Sequence, residues 1–168
     1  MNIWFFIIVI VALAMVIGPI TMLRPSPAQK RREELRMHAA SQGLRFSMRR
    51  LPALKTDMDK TAAAVPAYYL PPQAKPATTT EWILMRTSYA HEGNFYQEWD
   101  WQCDQRPGSA VTALLKEYLP KLPLSVSAVT HENLGTCVFW TEKEGVETLD
   151  LLIEMLKSLD HATNPQPV

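Results

Sequence analysis

The sequence predicts an α+β protein: one N-terminal transmembrane helix, a juxtamembrane helix, then an antiparallel sheet with two packed helices. Three observations carry this reading. An uncharged apolar run opens the chain. Two pairs of segments with a period of two are each joined by a short loop containing glycine. Two amphipathic segments at helical spacing stand apart from those pairs. At 168 residues there is room for one domain and an anchor. The boundaries follow as a span over 3–23, a basic helix over 24–43, a soluble domain over 44–160 and a disordered tail over 161–168.

The opening run, IWFFIIVIVALAMVIGPITML, carries no charge from Ile3 to Leu23. As a helix it measures about 31 Å, close to the hydrocarbon core of about 30 Å. It is apolar on all sides, with Trp4 near one end, where an indole suits the interface. A cleaved signal peptide is the competing reading. It is disfavoured because no basic n-region precedes the run and bulky residues follow it. Ala14 and Gly18 have small-xxx-small spacing, and Pro19 is expected to kink the last turn.

The neutral net charge conceals a division. Residues 1–50 hold eight Lys/Arg and two acids, giving +6, and the rest hold nine and fifteen, giving −6. An acidic body is a poor match to nucleic acid. Arg24, Lys30, Arg31, Arg32 and Arg36 follow the apolar run, and this one-sided charge predicts a domain in the cytoplasm. The same five residues are the expected membrane-surface contacts. Ser26-Pro27-Ala28-Gln29 starts a helix with a cap, a first-turn proline and a capping box, and Gly43 ends it. Its apolar contacts are Leu35, Ala39 and Met37.

The apolar run followed by LRPSPAQKRREELR resembles the start of YajC-type accessory subunits of the preprotein translocase, over residues 3–43. The resemblance implies a single-pass protein of a bacterial inner membrane that accompanies an integral membrane partner. The family continues into a glycine-rich β unit. After Gly43 this chain instead runs LRFSMRRLPALKTDMDK.

In the body, Leu44, Phe46 and Met48 alternate with Arg45, Ser47 and Arg49 as in a half-exposed strand. A long loop over Leu51–Thr80 is expected to hold one short edge strand, Ala67–Leu70, bracketed by Pro66 and Pro71. Glu81–Tyr89 and Phe95–Gln102 read as a hairpin joined by 90–94. Ser125–Thr130 and Thr136–Thr141 read as a second, turning through 131–135. Val111, Leu114, Leu115 and Tyr118 mark one helix. Val146, Leu149, Ile153, Leu156 and Leu159 mark the helix from 144 to 159.

No metal-binding spacing, phosphate loop or nucleophile motif occurs, so no catalytic residue, metal or cofactor is assigned. His91 and His131 fall in expected hairpin loops beside glutamates. With Glu98 or Asp100 they define the alternative of a membrane-anchored hydrolase or small-ligand domain, which requires a pocket joining them. Cys103 and Cys137 read as reduced, packed residues. Trp99, Trp101 and Tyr96 are the candidate partner contacts, provided that the indoles are exposed. The leading expectation is a non-enzymatic, membrane-tethered accessory or interaction subunit.

Overall fold

The computed structural model describes residues 3–22, 26–51, 64–72 and 80–163. The chain divides into two compact units, 1–34 and 35–168. In the first, α1 runs from Ile3 to Met22, and the side chains described along it are exposed. Among the described residues no helix is long and apolar enough to cross a membrane. The span expected over 3–23 therefore rests on the sequence. Helix α2, Pro27–Ser41, begins as its cap predicts, with the Ser26 hydroxyl accepting from the Gln29 amide at 3.2 Å.

The second unit is α+β, built on a six-stranded antiparallel sheet of order β1-β2-β6-β5-β3-β4. The strands are β1 (Arg45–Arg50), β2 (Ala64–Leu70), β3 (Trp82–Arg86), β4 (Trp99–Trp101), β5 (Val126–Glu132) and β6 (Gly135–Trp140). Helix α3 spans Ser109–Tyr118 and runs into a 3-10 turn at Leu119–Lys121, and α4 spans Val146–Thr163. Leu35 and Ala39 of α2, Val111 and Leu115 of α3, and Leu149, Leu152 and Leu156 of α4 all enter one apolar cluster with Tyr68, Leu84, Val129 and Val138. Three helices, not the expected two, therefore contribute to that core. Leu35 and Ala39 stand four apart, so the later turns of α2 bury one edge while the rest stays wet.

Several expected elements shift for local reasons. The proline-bracketed strand is not an edge: β2 lies between β1 and β6. Pro66 is tolerated because the pairing with β6 begins only at Ala67, so its missing N–H costs no ladder bond. The strand expected over 95–102 shortens to Trp99–Trp101. Gln97 adopts φ +49, and the Asn94 side-chain amide donates to the carbonyls of Gln97 (2.7 Å) and Tyr89 (3.3 Å), holding a structured loop before it. The second hairpin is tighter than predicted, with Glu132 opposite Gly135 and only Asn133 and Leu134 between. Gly135 takes the left-handed position after that turn at φ +96, where a Cβ would collide with the Leu70 carbonyl oxygen. Val146, expected in the core, is exposed at the start of α4. The helix continues to Thr163, and residues 164–168 of the expected tail lie outside those described, as do 52–63 and 73–79 of the expected long loop.

Candidate functional site

The most unusual chemistry in the fold gathers around Glu142, in the turn that follows β6. Its side chain is buried, and its backbone adopts φ +56, a left-handed conformation that costs a residue with a Cβ about 1 kcal/mol or more. The Arg36 guanidinium grips it in two parallel bonds, Nε to Oε1 and Nη2 to Oε2, both 2.8 Å. The Tyr68 hydroxyl donates to Oε1 at 2.6 Å. Arg36 also lies 4.0 Å above the Phe46 ring. Arg36 of α2 and Tyr68 of β2 thus converge on one carboxylate in the turn after β6, and Phe46 of β1 backs the guanidinium.

The electrostatics follow from this packing. The hydrogen bonds to Glu142 raise the Arg36 pKa against the opposing effect of burial. Burial, reinforced by the neighbouring carboxylate, holds the Tyr68 phenol well above its ordinary value. A phenol that stays protonated and a carboxylate with both oxygens engaged form a fixed joint. Such a joint secures the later turns of α2 against the sheet. A proton-transfer centre needs a group that can change partner.

A second carboxylate is organised nearby. Glu144 accepts from the Trp140 indole at 2.7 Å and from the Ser125 hydroxyl, while the indole also lies 3.1 Å from that hydroxyl. Burial pushes the Glu144 pKa up, but the hydroxyl and indole donors outweigh it and the net shift is downward. Between them, Glu142 and Glu144 tie the end of β6 to β2, α2 and the start of β5.

No family model, curated protein or solved structure matches this chain. The reading of the site therefore rests on its own geometry.

The structure scatters most of the expected site residues. Trp99 and Trp101 are 1% and 6% exposed and belong to the helix-facing core, so the exposure required of a partner contact is not met. Trp101 packs edge-on against Trp82 at 5.8 Å and tilts against Phe95 at 4.7 Å. Tyr96 is half-buried against the same cluster. Alternation puts Trp99 and Trp101 on one face, as found, but burial in a core requires that same alternation. Tyr96, expected on the opposite face, joins their cluster because the left-handed Gln97 breaks the strand. Arg36 turns to Glu142. Lys30, Arg31 and Arg32 are exposed, and Arg24 lies outside the described residues.

His91 and His131 do not converge. His131 lies in β5 opposite Trp82, at the first residue of β3, whereas His91 lies in the loop that follows the last residue, Arg86. The length of β3, about 13 Å, separates those two ends. His131 is buried, stacked on Trp82 with ring centroids 6.0 Å apart, and its Nδ1 lies 2.9 Å from the Thr136 hydroxyl. Burial lowers its pKa, partly offset by Asp160, Glu132 and Glu81. His91 is exposed and accepts from the Gly93 amide. Glu98 pairs with Arg86 at 3.2 Å, and Asp100 stands opposite Met85. Among the described residues no three His, Cys, Asp or Glu side chains are grouped to hold a metal.

Cys103 packs against the helix-facing cluster and Cys137 sits in the other apolar cluster, on the opposite sheet face. Burial pushes the Cys137 thiol up to about 11. Sequence reasoning missed Glu142 and Tyr68 as a site. TEKEG after a strand reads as a solvated turn, and nothing in it signals an arginine 106 positions away.

Proposed function

We propose that this protein is a single-pass, membrane-tethered accessory or interaction subunit without catalytic activity, its folded domain held at the cytoplasmic face of a bacterial inner membrane beside an integral membrane partner. The observation that carries the reading is α1. Ile3 and Trp4 are both 75% exposed, and Phe5, Phe6, Ile7, Ile8 and Ile10 are exposed as well. Transferring such a side chain out of water is worth about 1.5–3 kcal/mol each, so a helix with this surface demands an apolar surrounding. The uncharged sequence from Ile3 to Leu23 matches a lipid core in length. Lys30, Arg31 and Arg32, exposed in the early turns of α2, and Arg24 before them suit anionic headgroups.

The interaction role is supported by how the polar groups of the domain are used. Its buried carboxylate, Glu142, is engaged by Arg36 and Tyr68, and its buried histidine by Trp82 and Thr136. The test is crosslinking in intact membranes followed by purification of the full chain under denaturing conditions. The expected result is an alkali-resistant membrane protein carrying one stoichiometric membrane partner. Recovery of the chain alone, or in the alkali-soluble fraction, would overturn the reading.

A further inference from the structure

The open edge of the sheet at β1 carries an inference that rests on the interaction reading and deepens it. Among the described residues β1 pairs only with β2, leaving a six-residue edge. Which of its backbone groups face outward follows from the ladder. Met48 stands opposite Pro66, which has no N–H, so that pair cannot exchange two hydrogen bonds. The bonded pairs are then Arg45 with Tyr69, Ser47 with Ala67 and Arg49 with Val65. The far side of the sheet gives the same parity. Thr141 donates to Ser125 across β6 and β5, which directs Val138 towards Tyr68 and leaves Ala67 and Tyr69 facing β1. The amides and carbonyls of Phe46, Met48 and Arg50 therefore point away from the sheet.

The side chains along this edge are selective. Phe46, Met48 and Arg50 project to the helix-bearing face, where Phe46 is half-buried beside the core and Met48 is 54% exposed. Arg45, Ser47 and Arg49 project to the other face, and the strand contains no acid. Arg49 bonds Glu132 at 2.7 Å through Nη2, which keeps its guanidinium at this edge. A second copy of β1 is a poor occupant: pairing through the outward groups of Phe46 and Met48 about Ser47 sets Arg45 opposite Arg49, and any self-pairing gathers six arginines with no acid among them. We propose that β1 accepts an extended acidic segment of a protein partner as a seventh strand. The segment has carboxylates at alternate positions beside Arg45 and Arg49, and apolar side chains at the positions between, beside Phe46 and Met48.

The test uses the full chain in detergent micelles and a labelled peptide alternating glutamate and valine. Its controls are a peptide of the same composition in blocks and one alternating lysine and valine. The alternating acidic peptide should bind about ten-fold or more tighter than either control. It should slow amide exchange at Phe46, Met48 and Arg50. Met48→Pro removes an outward N–H without touching the β1–β2 ladder. It should weaken binding about ten-fold with the circular dichroism spectrum unchanged. Arg45→Glu should shift preference towards the lysine peptide. Equal binding of the three peptides would overturn the proposal. So would Met48→Pro binding like wild type, or slow exchange at those three amides before peptide is added. If the membrane crosslink survives Met48→Pro unchanged, the edge proposal fails while the accessory-subunit reading stands. If the peptide binds but no membrane partner crosslinks, the reverse holds.

Discussion

At one edge of the sheet β4 offers three residues, two of them tryptophans buried in the helix-facing cluster. At the other, β1 offers six residues, three of them arginines, with Met48 exposed between. An edge strand is a hazard because its free amides and carbonyls template further pairing. The β4 side meets it with shortness and aromatic burial: Trp99 and Trp101 sink into the core and Arg86 lies 4.7 Å over the Trp99 ring. The β1 side meets it with charge, and a half-buried ion pair stands beside it where the other edge has aromatic rings packed edge-on and tilted. Apolar burial closes an edge to every partner, whereas charge closes it only to partners of the same sign.

The largest expected effect breaks the aromatic side. Trp99→Ala should cost about 3–5 kcal/mol in chemical denaturation, the range for emptying a buried aromatic site. Trp99→Phe sharpens the point. Trp99 Nε1 is buried without a hydrogen-bond partner among the described residues, so losing it sacrifices packing but no bond. Trp140→Phe removes an indole that serves Glu144 and Ser125 and should cost more. Equal losses for the two Phe variants would show that those bonds contribute little.

The next effect breaks the ionic side. Glu142→Gln keeps the shape but takes the charge from beneath Arg36, and should cost about 2–3 kcal/mol given that Arg36 is about one-third exposed. Replacing both partners, Arg36→Met with Glu142→Leu, should recover part of that loss, because no buried charge is then left alone. A double variant less stable than Glu142→Gln would mean that the pair is worth more than an apolar joint of the same volume.

These two sides also differ in how far the sequence discloses them. Alternation placed Trp99 and Trp101 on one face, and helical spacing placed Leu149, Ile153, Leu156 and Leu159 in the core, where they lie. Leu35 and Ala39 were legible as apolar contacts of α2, though not what they touch, and Met37, expected with them, is exposed. Periodicity reports which side of an element is apolar, and the core obeys it because burial is non-directional. The Arg36–Glu142–Tyr68 joint was invisible. It depends on three side chains meeting at hydrogen-bond distance across the fold, and Glu142 reaches its place only through a left-handed backbone that no residue type announces. The histidine hairpins failed for a related reason: the second turn is tighter than its sequence implies, which drew His131 out of the loop and into β5.

The smallest expected effect concerns that histidine, on the aromatic side. His131 is buried against Trp82, and its folded pKa lies below the ordinary value of about 6.5. In the unfolded chain it takes up a proton as pH falls through about 6.5, while in the folded chain it stays neutral until a lower pH. The unfolded state then binds more protons, so folding stability declines as pH falls below about 6.5, and levels off once the folded pKa is passed. At higher pH both states are neutral at this site and it contributes no slope. Urea denaturation at about pH 7, 6 and 5 should show this decline in the wild type and a flatter profile in His131→Gln, which cannot titrate. If the variant keeps the wild-type slope, the decline belongs to other groups.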